Sequence, residues 1–180
     1  SDTLDTISVY VSDMKYDIFQ GDLAHFDYLN QSYKEGNIDF AAYARGLLKY
    51  IYYRKLDVYE FPNISLLEET ALCERMIDFD AISEEREFIT DQLSQQLSGE
   101  ETKRFLKITL NFQNGKVTEK DYYVYTVNLA KTHSISSDAY ENMVAYAKYL
   151  SLYQQIDMAE LLNECKRLEY DIYCQLAGTQ

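Results

Sequence analysis

Thr118-Glu119-Lys120-Asp121-Tyr122-Tyr123-Val124-Tyr125-Thr126-Val127-Asn128-Leu129-Ala130-Lys131 is the stretch on which the fold class turns. Its middle is crowded with β-branched and aromatic residues, which favour a strand. Its ends favour a helix. Thr118 with Asp121 has the spacing of a helix start, where a cap oxygen takes the backbone N–H three residues on. The run then continues unbroken through Asn128 to Lys131, and packing commonly overrides weak propensity. The stretch reads as helix.

The punctuation on either side agrees. Six Gly and one Pro in 180 residues leave few places for hairpin turns, which argues against a many-stranded sandwich or barrel. Ser98 with Glu101 and Asp157 with Glu160 repeat the start signal, predicting helices near 100–113, 118–131 and 158–176, with another from about Ser137 to Gln155. Upstream, Leu4, Ile7, Val11, Met14 and Ile18 step by three and four and make one helical stripe. A second helix spans about Asp22 to Glu35 and stops at Gly36-Asn37, and a third spans about Asp39 to Asp57. Beyond Phe61-Pro62-Asn63 two more follow, roughly Ile64 to Asp78 and Ile82 to Leu97.

The expected fold is therefore all-α: antiparallel helical hairpins of about eight or nine helices, in one multi-helix bundle or two stacked sub-bundles. One helical domain over 1–180 accommodates this. Alternative partitions are sub-bundles 1–61 and 62–180, divided at the only proline, or a second hairpin unit starting near 98. An echo also runs at an offset of 79 residues: Phe26 and Phe105, Leu29 and Ile108, Tyr33 and Phe112, Gly36 and Gly115, Ile38 and Val117, Tyr43 and Tyr122. Any helical hairpin closed by a glycine has this look, and a duplicated sub-domain is the sharper reading.

Charge narrows the partners. A net charge of -13 works against a phosphate backbone or an anionic membrane surface, so no nucleic acid is expected. No apolar run reaches the length of a membrane span, so no membrane insertion is expected either. The charge is concentrated between Asp57 and Glu101, where thirteen acidic residues face only Arg75 and Arg86. Arg45, Lys49, Arg54 and Lys55, interleaved with Tyr50, Tyr52 and Tyr53, precede this belt and are expected to pair with it within the fold. Cys73, Cys165 and Cys174 are an odd set that reads as buried free thiols, which leans towards a reducing, cytoplasmic setting. A start at Ser1-Asp2 without Met also fits a processed or excised chain, which keeps export open.

Motifs for chemistry are weak. Gly36 and Gly115 sit where a calcium loop wants glycine, but the ligand positions fall on Gln31, Tyr33 and Ala42, or on Leu110, Phe112 and Asp121, which give almost no oxygen cage. A di-iron site wants Glu-x-x-His twice; Asp22 precedes His25 by three, but Ala130 stands three before His133. Neither His has zinc-ligand spacing, and no nucleophile elbow or phosphate loop is present. No metal or other cofactor and no catalytic residue is expected. Paired carboxylates such as Glu84-Glu85 point about 100° apart on a helix and read as solvated faces.

The positive signal is tyrosine, eighteen of 180 residues with no tryptophan. Tyrosine combines a large apolar body with a hydroxyl that needs a partner or water, which suits core margins and protein interfaces. Tyr146, Tyr149 and Tyr153 share one helix face, beside a stripe of Met143, Ala147 and Leu150. In the last helix Met158, Leu161, Cys165, Leu168 and Ile172 form a short seam of the coiled-coil kind. The expected function is a protein-interaction or assembly module without catalytic activity, using a protein partner or self-association. Its candidate interface is Tyr146, Tyr149, Tyr153, Leu161 and Leu168. The alternative is a small-ligand-binding protein or enzyme with a pocket between helices, for which Asp22 and His25 are the candidate polar groups.

Overall fold

Helix starts in this chain are made by side-chain oxygens, and the first turns show how. Ser98 accepts the Glu101 N–H while the Glu101 carboxylate takes the Ser98 N–H, the reciprocal pair expected from their spacing. Thr118 Oγ1 accepts the Asp121 N–H at 3.1 Å, Asp39 Oδ1 that of Ala42 at 2.7 Å, and Asp157 Oδ1 that of Glu160 at 3.0 Å. Gly36 and Gly115 end their helices with φ of 75° and 68°, a left-handed turn that other residues adopt only at a cost.

The computed structural model describes residues 21–177; the expected first helix, Leu4 to Ile18, lies outside them. Among the described residues there are eight α-helices, two 3₁₀ turns and no strand. The helices are α1 (Asp22–Lys34), α2 (Phe40–Arg54), α3 (Pro62–Arg75), α4 (Ala81–Gln96), α5 (Gly99–Gln113), α6 (Glu119–Thr132), α7 (Glu141–Tyr153) and α8 (Met158–Ala177). The fold is all-α, and the tyrosine-rich stretch of 121–127 lies wholly within α6. The 3₁₀ turns, Val58–Glu60 and Ser137–Ala139, precede α3 and α7, so the helix expected from Ser137 starts instead at Glu141. Pro62 is the first residue of α3, where its missing N–H has no helical partner to lose.

The 79-residue echo extends through every described helix. Helices α1–α4 and α5–α8 are two repeats with the same order of elements and turns. Tyr33 stacks on Tyr43 at 4.4 Å between ring centroids, and Phe112 stacks on Tyr122 at 4.2 Å. Lys55 and Ser134, 79 apart, are the two non-glycine residues with positive φ among the described residues, at 54° and 57°. Each follows its helix at a turn closed by matching bonds, Leu56 N–H to Ile51 and Ile135 N–H to Ala130. A hairpin closed by glycine explains none of this second set.

The clearest correspondence is a pair of carboxylate clamps. Glu164 of α8 receives the Asn63 N–H and Nδ2 on one oxygen, at 3.0 and 2.7 Å, and the Ile64 N–H on the other at 2.9 Å. Glu85 of α4 does the same for Asn142 and Met143, at 3.2, 2.8 and 2.7 Å. In both, the asparagine oxygen closes the motif on a backbone N–H, that of Asp157 or Asp78. All four residues of one clamp lie 79 positions from their counterparts. An N-terminal turn presents unpaired N–H groups and a partial positive charge, which a carboxylate from another helix satisfies at once. Glu85 is therefore a clamp, where its sequence setting beside Glu84 suggested a solvated face.

By contacts the chain forms two compact units. The described part of the first holds α1, α2, the opening turn of α3 and α8; the second, Leu66–Ile156, holds the rest of α3 and α4 to α7. Each unit is closed by the fourth helix of the other repeat: α8 packs on α1 and α2, and α4 packs on α7. The core of the second unit is Ile82, Ile89 and Leu93 of α4 against Phe105, Tyr122, Val127, Tyr140, Met143 and Ala147. In the first unit the equivalent α8 positions, Leu161, Leu168 and Ile172, are completely buried. At roughly 1.5–3 kcal/mol for each large apolar side chain, these rows are a main source of each unit's stability. Cys73 and Cys165 are buried, whereas Cys174, expected inside, is exposed. Lys49 and Lys55 are exposed.

Candidate functional site

In the second unit a continuous run of aromatic rings leads from the core to solvent. It begins with Phe112 of α5 stacked on buried Tyr122, whose edge meets Tyr123 at 5.4 Å. Tyr123 meets Tyr146 of α7 edge-on at 5.0 Å. From there the rings climb the α7 face: Tyr146 stacks on Tyr149 at 6.1 Å and Tyr149 on Tyr153 at 6.2 Å, with interplanar angles of 12° and 27°. Spacings of three and four residues bring these side chains above one another on the helix, as their sequence positions require. Phe79, in the turn between α3 and α4, adds its edge to Tyr146 at 5.8 Å.

Exposure rises along the run. Tyr122 and Tyr123 are buried, Tyr146 and Tyr149 half-buried, and Tyr153 is 62% exposed. Phe79 is 49% exposed, and Leu72 on α3 and Met76 just after it are also exposed. α7 is held against α3 by the Cys73 thiol on the Ala145 carbonyl, and by Lys148 on Glu69 at 2.9 Å.

Three charged groups border the rings. Burial raises the pKa of the Tyr146 phenol, and the neighbouring Glu119 carboxylate raises it further. Burial likewise raises Tyr149, with Glu74 nearby adding to the effect. Burial also raises Tyr123, and the nearby Arg86 guanidinium partly offsets this. These phenols are neutral at physiological pH, so they offer ring faces and hydroxyl bonds rather than proton transfer.

Leu161 and Leu168 belong to the other unit and are completely buried. Asp22 opens α1 with His25 in the same turn, and His25 is exposed. His133 ends α6 and pairs with Glu101 at 3.2 Å. Among the described residues no group of three His, Cys, Asp or Glu is placed to hold a metal ion, and no helix is long and apolar enough to cross a membrane. Phe79, Glu119, Tyr123 and Arg86 were not singled out by sequence as site residues, because all of them reach the ladder from outside α7. The chain matches no protein-family model, no curated protein and no solved structure.

Proposed function

We propose that this protein is an interaction module without catalytic activity of its own, and that its working surface is the tyrosine ladder of α7. The supporting observation is internal to the molecule. α3 is the equivalent helix of the first repeat, with the same carboxylate clamp, and it carries Leu67, Thr70 and Glu74 where α7 carries Tyr146, Tyr149 and Tyr153. The scaffold thus forms this helix without tyrosines. Stacked tyrosines give a large, rigid contact area at low entropy cost, the composition that protein interfaces favour.

Site-specific photocrosslinking in native cell extract tests this reading, with a benzophenone side chain at position 153 and, as control, at Tyr59, which is exposed in the first unit. A discrete protein adduct from 153, absent from 59 and lost in Tyr146→Ser/Tyr149→Ser, is the expected result. Equal diffuse labelling at both positions overturns it.

A further inference from the structure

We infer that the ladder receives a cationic segment of its protein partner, with arginine or lysine side chains laid on the faces of Tyr149 and Tyr153 and balanced by Glu74 and Glu119. This rests on the interaction reading above and names the partner's chemistry. Tyrosine faces carry negative quadrupole potential and attract guanidinium and ammonium groups. Here that potential is reinforced, because the Glu119 carboxylate lies by Tyr146 and Glu74 lies by Tyr149. Lys148, the cation next in sequence to Tyr149, is turned to Glu69.

The molecule already seats a cation on a ring face: in the first unit the Arg167 guanidinium lies 5.9 Å from the centre of the Phe61 ring. The wider field has the same sign: the sequence from Asp57 to Glu101 carries eleven more negative than positive charges. An anionic partner would have to approach against both the local carboxylates and this field. A second copy of this chain would bring its own carboxylates to the contact.

The test uses the full chain carrying 3-fluorotyrosine, titrated with an acetylated (Gly-Arg)5 amide and, as a control, a (Gly-Glu)5 amide, at about 0.15 M salt to screen diffuse attraction. The expected result is saturable shifts of the Tyr146, Tyr149 and Tyr153 fluorines with the arginine peptide alone. Affinity should fall at least about fivefold in Tyr153→Leu and in Glu74→Gln, a change of about 1 kcal/mol. Glu87→Gln, which removes the same charge from an exposed position on α4, should leave it within about twofold. Equal losses in Glu74→Gln and Glu87→Gln, or shifts spread evenly to Tyr28 and Tyr59, overturn the inference as diffuse charge attraction. No binding of the arginine peptide while the crosslink from position 153 persists overturns the cationic partner and leaves the interaction face standing.

Discussion

The helices α3 and α7 occupy the same place in the two repeats and begin in the same way, yet they carry different side chains further along. Both open after a 3₁₀ turn, and both have an asparagine and the next residue clamped by a glutamate 79 positions from its counterpart. They differ further along, where α3 shows Leu67, Thr70 and Glu74 and α7 shows three stacked tyrosines. What the repeats share is what the fold needs; the clamps, the left-handed turns and the stacked hairpin rings are in that set. What only one repeat has is open to other uses, and the ladder belongs there.

The largest expected effect comes from breaking the clamps unequally. Glu164 is completely buried and Glu85 is only partly so. Removing either carboxylate strands backbone N–H groups at a helix start, but water reaches the second site more easily. Glu164→Ala should cost about 3 kcal/mol and Glu85→Ala about 1–2 kcal/mol in urea unfolding, by the usual worth of bonds to a charged group. Native-state hydrogen exchange should locate the damage at Ile64 in the first and Met143 in the second. Equal small losses would mean that the clamps are incidental contacts.

A smaller effect separates the two stacked pairs. The Tyr43 hydroxyl donates to Asn30 Oδ1 at 2.9 Å beneath the first hairpin, while burial, with Glu169 adding to it, raises its pKa. Tyr43→Phe should cost about 1 kcal/mol in thermal or urea unfolding, the ordinary net worth of a buried hydrogen bond. The second hairpin already uses a phenylalanine, Phe112, at the position of Tyr33. Tyr33→Phe should therefore be close to neutral, and a loss equal to that of Tyr43→Phe would show that the pair is not matched by its counterpart.

The second repeat also has an acid-sensitive start at each helix of its hairpin. Bonds from the Ser98 hydroxyl and amide, with His133 adding, hold the Glu101 carboxyl below the usual range, and Thr118 with Lys120 does so for Asp121. A carboxyl lowered on folding contributes stability that is present above its unfolded value, about pH 4, and is lost as pH falls through the folded one. Glu101→Gln and Asp121→Asn should therefore lower stability slightly at neutral pH and flatten its decline below about pH 4. An unchanged acid limb in a pH series of thermal melts would contradict this.

Most of the helices could be read in advance because their signals are local. Gly36, Gly115, Ser98 and Thr118 act within four residues of themselves, and the spacing of Tyr146, Tyr149 and Tyr153 fixes a shared face whatever surrounds it. The clamps could not be read that way. Glu85 and Glu164 look like any helical carboxylate until the fold brings Asn142 and Asn63 to them from 57 and 101 residues away. The same limit hid Glu119 and Phe79 from the ladder. It also left the seam of Leu161 and Leu168 undecided between an interface and a core, until α8 was found closed over α1 and α2. The echo was visible only in the hairpins, where aromatic and glycine positions are constrained most.

The most direct test of the account is to give α7 the residues of its twin, Tyr146→Leu, Tyr149→Thr and Tyr153→Glu together, and to follow unfolding and partner capture, read by a benzophenone at the adjacent exposed position 154 in both the native and the exchanged chain. The account predicts a chain that stays folded, with its melting temperature lowered by only a few degrees, about the shift that 1 kcal/mol produces in a domain of this size, and with capture through this face lost. Collapse of the second unit would contradict it, because the ladder would then be a structural requirement of the repeat that bears it.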